Sequence, residues 1–247
     1  MHDDAPRARW DAGVRSVTAP GPRGGPVVAL VPGLGALGYL TDTLTACGAW
    51  ARSFLLDLPG FGHPPPRPCP PEVPAIAGAV SRWLDAVAPE EPVVLVGHST
   101  GAQAALRVAA GRPDRVRALV LMGMTFPPEQ RRFPGLARAA VRDLARERPV
   151  LLPVVLPYYA RGGPRGLARI VRSAQRDQPE RTIREVRCPV LLVRGEQDTF
   201  ATQDWVDRLA AAAPDGRAVT VPGAHTFPYR RGGLTAALIA DAADTAR

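Results

Sequence analysis

Lysine is absent from the 247 residues, and all 31 basic residues are arginine. Against 23 acidic residues they leave a formal net charge of +8. A basic balance of this size attracts anionic partners. The arginines are scattered, however, and no tight basic run interleaves with aromatics. The charge therefore reads as a solvated surface, and no nucleic-acid site is expected. Cysteine is scarce. Cys47, Cys69 and Cys188 make an odd set without metal-ligand spacing, which argues against a disulfide scaffold or a zinc site and points to buried thiols in a cytoplasmic protein. No run of about eighteen apolar residues occurs, so no membrane span is expected. Met1-His2-Asp3-Asp4-Ala5-Pro6 lacks a basic start followed by an apolar stretch, so no secretory signal is expected either. Histidine is limited to His2, His63, His98 and His225.

What remains is an ordinary soluble composition, 46% apolar and 22% charged. The length suits one large domain rather than two. Short apolar runs alternate with helix-like stretches, the pattern of a parallel sheet covered by helices. Strands are expected at 26–31, 53–57, 93–96, 116–122, 190–193 and 218–221. Helices are expected at 39–50, 75–87, 102–109, 203–212 and 234–243. The proline-dense stretch from Pro64 to Pro74 belongs in a loop. From Phe126 to Arg184 the alternation stops. Two helices, near 136–146 and 165–175, read as an insertion on the sheet edge.

The chemistry gathers at the ends of the expected strands. Gly97-His98-Ser99-Thr100-Gly101 lies between a strand and a helix. A sharp turn there strains the serine backbone and pushes its hydroxyl out of the sheet, while the two glycines leave room for neighbouring backbone. Serine needs a base. His2 falls in the terminus, His98 should point away from Ser99, and His63 reads as a loop residue. His225 follows the last strand, on the same sheet edge as Ser99, and is the expected base. Asp198, just after strand 190–193, is the expected partner that orients the imidazole; Glu196 and Asp204 are its rivals. Oxyanion donors are expected from the Thr100 amide and from Leu34 in Pro32-Gly33-Leu34-Gly35.

Assembled, these residues resemble the α/β-hydrolase superfamily in its compact, cap-bearing branch. The resemblance runs from about Pro26 to the C-terminus. Besides the serine pentapeptide it includes Asp57-Leu58-Pro59-Gly60-Phe61-Gly62, Pro189 to Asp198, and Pro222-Gly223-Ala224-His225, in the family's order. Pro32 stands where the family usually has a histidine, and the short segment before Val27 implies reduced first strands. The resemblance implies an α/β-hydrolase fold: a mostly parallel central sheet flanked by helices, with a helical cap. Residues 1–124 and 185–247 form the core and 125–184 the cap. The cap offers Phe126, Tyr158 and Tyr159 as substrate-binding residues, with Phe133, Leu151 and Leu152 as further apolar lining. The implied reaction is cleavage of a carboxylic ester or lactone through an acyl-enzyme on Ser99, His225 and Asp198. No metal and no organic cofactor is implied. The partner is a small-molecule acyl substrate, with an acyl carrier protein as a further candidate. A thioesterase, a carbon–carbon hydrolase or lyase, and a non-catalytic small-molecule binding module are the alternatives, because fold and triad do not separate them.

Overall fold

The computed structural model describes residues 7–245, so His2 and the rest of Met1–Pro6 lie outside the described residues. The chain runs β1 (Arg7–Asp11), β2 (Val14–Ala19), β3 (Val27–Val31), α1 (Thr41–Cys47), β4 (Arg52–Leu56), α2 (Val73–Val87), β5 (Val93–His98), α3 (Thr100–Gly111) and β6 (Val116–Met122). It continues through α4 (Phe133–Leu144), α5 (Leu152–Arg176), α6 (Pro179–Thr182), β7 (Val190–Gly195), α7 (Gln203–Ala212), β8 (Gly216–Val221) and α8 (Gly232–Thr245). The eight strands form one sheet in the order β1-β2-β4-β3-β5-β6-β7-β8. Pairings from β4 to β8 are parallel, and only β1–β2 and β2–β4 are antiparallel.

The central strands are largely apolar because both faces are covered. Val27, Ala29, Val31, Leu95, Leu119 and Leu121 pack under α2, α3 and α7, with Trp83 and Trp205 buried on that side. Val28, Leu30, Val94, Val96 and Val120 point the other way and meet Leu44 of α1 and Ile239 of α8. Each fully buried leucine or valine contributes about 1.5–3 kcal/mol. With helices on both faces, the carboxyl ends of β3, β5, β6, β7 and β8 are left at one open edge. That is where an open parallel sheet places its site.

The first strands are not reduced as expected. β1 and β2 form a complete hairpin that extends the sheet beyond β4. Ala12 and Gly13 turn it, both with positive φ (49° and 75°), the backbone of a tight hairpin turn. All but one of the β1 residues are exposed, so Arg7–Asp11 shows no apolar alternation to read.

Between β6 and β7 lie only helices. α5 is longer than expected and breaks at Gly163 (φ 67°), just before Pro164. Proline has no N–H for a preceding carbonyl and crowds that turn. The first half of α5, rich in proline and apolar residues, carries little helical signal of its own. It is helical where Val155 buries against the core.

Candidate active site

Ser99 sits between the last residue of β5 and the first of α3, with φ 56° and ψ −124°. Such a backbone costs a non-glycine residue roughly 1–3 kcal/mol and holds only when its surroundings over-determine it. Here the Ser99 N–H donates to the Met122 carbonyl at 2.9 Å, and its carbonyl accepts from Ala102 N–H at 3.0 Å. A Cβ on Gly97 would strike Ala102, and one on Gly101 would strike the carbonyls of Val31 and Pro32. Gly97 thus lets α3 start hard against β5, and Gly101 lets it lie hard against the end of β3. Thr100 opens α3, so its N–H has no intrahelical acceptor.

Asp198 lies in the turn after β7. Its Oδ1 accepts the backbone N–H groups of Phe200 and Ala201 at 2.8 and 2.9 Å, leaving Oδ2 for His225 Nδ1 at 2.9 Å. Gln197 N–H donates to the Gly223 carbonyl at 2.9 Å, tying the acid turn to the histidine loop. The guanidinium of Arg194, buried at the end of β7, donates to the carbonyls of Ala201, Glu196 and Asp198. Arg194 is a positioning residue that sequence reasoning missed; an arginine at the end of an apolar strand was its only signal. The rivals Glu196 and Asp204 are exposed at the surface.

Burial disfavours charge on both members of this pair, but each supports the other. The His225 imidazole holds the Asp198 carboxyl below its ordinary value. Against its own burial, His225 is held above the ordinary histidine range by Asp198, with Asp143 and Glu147 adding to the effect. Because Nδ1 faces Asp198, Nε2 is the nitrogen left for proton transfer.

His98 also lines the cavity, but both of its ring nitrogens are held in a buried polar relay. Gly33 N–H donates to the Tyr39 hydroxyl at 2.7 Å, and the hydroxyl lies 2.9 Å from His98 Nδ1. His98 Nε2 lies 2.9 Å from the His225 carbonyl. A carbonyl only accepts, so Nε2 carries the proton and Nδ1 accepts from Tyr39. Burial, and then the neighbouring His225, push His98 down to about 3 and keep it neutral. Burial also raises the Tyr39 phenol, keeping it protonated. The relay joins the loop after β3 to the loop after β8. Tyr39 was read only as the start of a helix.

Leu34 (φ 46°) and Thr100 both line the cavity. The Leu34 N–H donates to Thr100 Oγ1 at 2.9 Å. Having accepted there, the Thr100 hydroxyl keeps its own proton for another acceptor. His63 packs edge-on against Trp10, away from this cavity.

Ser99, His225, Leu34 and Thr100 line a cavity of about 480 Å³. Phe126 and Tyr159 line it too, as do Leu151 and Leu152. Tyr158 does not: successive helical residues point about 100° apart, and Tyr158 packs instead near Gly38. Phe133 is likewise corrected, being 80% exposed at the start of α4. The structure adds Phe200, Asp143, Glu147 and Arg148 to the wall. The last three lie in the charged stretch from Arg142 to Arg148, which sequence reasoning did not single out. Glu147 accepts the Thr226 N–H at 2.6 Å, and Thr199 donates its hydroxyl to the Ala139 carbonyl at 2.8 Å. The insertion is thus fastened to both the histidine loop and the acid turn. No described helix is long and apolar enough to cross a membrane.

Residues 28–238 match the model of the alpha/beta hydrolase family. The chain is 28% identical over 230 residues to a pimeloyl-[acyl-carrier protein] methyl ester esterase of Neisseria meningitidis, covering 82% of this chain and 86% of that one. Among solved structures, the enol-lactonase of Burkholderia xenovorans superposes with a TM-score of 0.77 at 20% identity, covering 96% of this chain and all of the other. A thermophilic esterase of Thermogutta terrifontis gives 0.77 at 17% identity, covering 98% and 99%. At these identities the structural likenesses speak for the fold alone.

Proposed function

This chain belongs to the alpha/beta hydrolase family, and from that premise we propose that it is a serine hydrolase that cleaves a carboxylic ester or lactone through an acyl-enzyme. The observation that carries this reading is one constellation. A strained serine opens onto a cavity shared with a histidine, and that histidine's far nitrogen is 2.9 Å from a buried carboxylate. The Ser99 hydroxyl attacks the acyl carbon while His225 Nε2 takes its proton. Asp198 fixes the tautomer and stabilises the imidazolium. The carbonyl oxygen gathers negative charge toward the Thr100 amide and the Thr100 hydroxyl, which accepts the Leu34 N–H and keeps its own proton to donate. Collapse breaks the bond to the leaving alcohol, which takes the proton from His225. Water then adds to the acyl-enzyme by the same route and frees the acid.

A second reading concerns how the acyl group is presented. The esterase from Neisseria acts on a carrier-bound methyl ester by its name. A net charge of +8 favours encounter with an acidic carrier protein. An acyl carrier protein is therefore the first macromolecular partner to test, and an acyl thioester the first rival substrate.

The test is labelling with a fluorophosphonate, peptide mapping, and Ser99→Ala as control. A stoichiometric adduct on Ser99 that disappears in the variant supports the reading. A folded protein that stays unlabelled and turns over no ester in a panel of methyl, aryl and lactone substrates overturns it. It would bring forward the binding module.

A further inference from the structure

Asp143 is buried (7% exposed), yet it lines the catalytic cavity. Its Oδ1 has no hydrogen-bond partner among the described residues. Three features make a carboxylate costly at this position. Burial strips its water. The last turn of α4 is the negative end of the helix dipole. Glu147 lies one turn on, its N–H bonded to the Asp143 carbonyl at 2.9 Å, which sets both carboxylates on one face. Burial, with Glu147 and Asp198 adding to it, pushes Asp143 up to about 6 against the pull of His225. Above that pH the group is ionised.

The charges facing it can be counted. Glu147 and Arg148 line the same wall, and His225 lies across from it. Asp198 is already served by two amides and by His225. While His225 is neutral, as a base must be, Arg148 is the one other charged side chain lining the cavity with Asp143 and Glu147, which also take the backbone N–H groups of His225 and Thr226. The wall then carries one net negative charge, with the Asp143 Oδ1 buried and unpartnered behind it. Phe126, Tyr159 and Phe200 supply aromatic surface in the same cavity, and aromatic faces attract organic cations.

We infer that Asp143 is a specificity-determining residue, forming with Glu147 a subsite for a cationic, ammonium-bearing group on the substrate. This rests on the hydrolase reading above and narrows it to amino or quaternary-ammonium esters. A bound cation would also favour neutral His225, readying the base as the substrate enters.

Two isosteric pairs test it, one for each side of the ester bond. Choline butyrate is compared with 3,3-dimethylbutyl butyrate, and methyl 4-(trimethylammonio)butanoate with methyl 5,5-dimethylhexanoate. At pH 8 the wild-type kcat/KM should favour the cation at least about tenfold in one pair. Asp143→Asn should bring that ratio to within about twofold of unity. A role limited to positioning His225 would change both members of a pair alike and leave the ratio standing. Wild-type ratios near unity in both pairs, or a preference that survives Asp143→Asn, overturn the inference. Failure of every ester, neutral ones included, counts against the hydrolase reading instead. The subsite is then judged by calorimetry with choline and 3,3-dimethylbutanol. Tighter binding of choline that is lost in Asp143→Asn supports it, and equal binding overturns it.

Discussion

Replacing Asp143 by Asn should make the protein more stable, and only above a definite pH. The carboxyl titrates at about 6 in the folded chain against 3.8 as its ordinary value. Between these values the folded state binds the proton that the unfolded state has released. Stability therefore falls as pH rises from about 4 to about 6 and then stays level. The full loss is the difference of roughly 2.2 units at 1.36 kcal/mol each, or about 3 kcal/mol. That is an upper figure, because the group keeps some exposure and is screened in proportion. Asparagine has the same shape and does not titrate, so its own packing and hydrogen-bond cost is the same at every pH. The variant's advantage over wild type should thus grow by about 1–3 kcal/mol between pH 4.5 and pH 8. In a chain of this size that corresponds to a relative Tm gain on the order of 3–10 °C. Urea unfolding of both proteins across that range measures it, and contributions from titrating groups that Asp143 does not touch cancel in the difference. A difference that stays flat with pH, or that turns against the variant at pH 8, would refute the reasoning. Such a result would mean the carboxylate is well compensated in the empty cavity.

Two further outcomes follow from the site's electrostatics. Because a base must be neutral and three carboxylates hold His225 above the ordinary histidine range, kcat/KM for a neutral ester should rise with pH through a limb above about 6.5. Asp143→Asn should move that limb to lower pH, and a limb that does not move would remove Asp143 from the field at His225. Asp198→Asn should lower kcat by about 10⁴-fold by stabilising the wrong tautomer, whereas Glu196→Gln, at the surface, should stay near wild type. Reversed outcomes in a single steady-state assay would reassign the acid.

Much of the sheet was legible because strands covered on both faces are apolar without interruption. Val27–Val31 stands out for this reason, and Val116–Met122 is broken only at Arg117. The hairpin at the N-terminus was not legible, since Arg7–Asp11 is an exposed edge whose pairing depends on a neighbour rather than on its own pattern. Ser99, Asp198 and His225 could be picked out because each follows a recognisable strand and the chain order is constrained. Tyr39, Arg194 and Asp143 could not. Their significance depends on what the fold places opposite them: a glycine amide, a ring of carbonyls, a histidine loop. Tyr158 and Tyr159 show the same limit at its smallest scale. Adjacent tyrosines are equal in sequence, and helix rotation alone sends one into the cavity and the other away.

The placement of the helical insertion bears on how such a chain diversifies. It leaves the sheet after β6 and returns at β7, and these two strands pair with each other. Exchange of the whole segment for one from another chain would leave every strand pairing in place. Modularity of that kind is bounded by the few bonds through which α4 and its extension grip the loops after β7 and β8. A transplanted segment that lacks an acceptor for the Thr226 amide would arrive with a working core and a loosened histidine. Recombination at this joint would therefore trade substrate range against precision of the base, and a chimera could recover the latter through a single restored carboxylate.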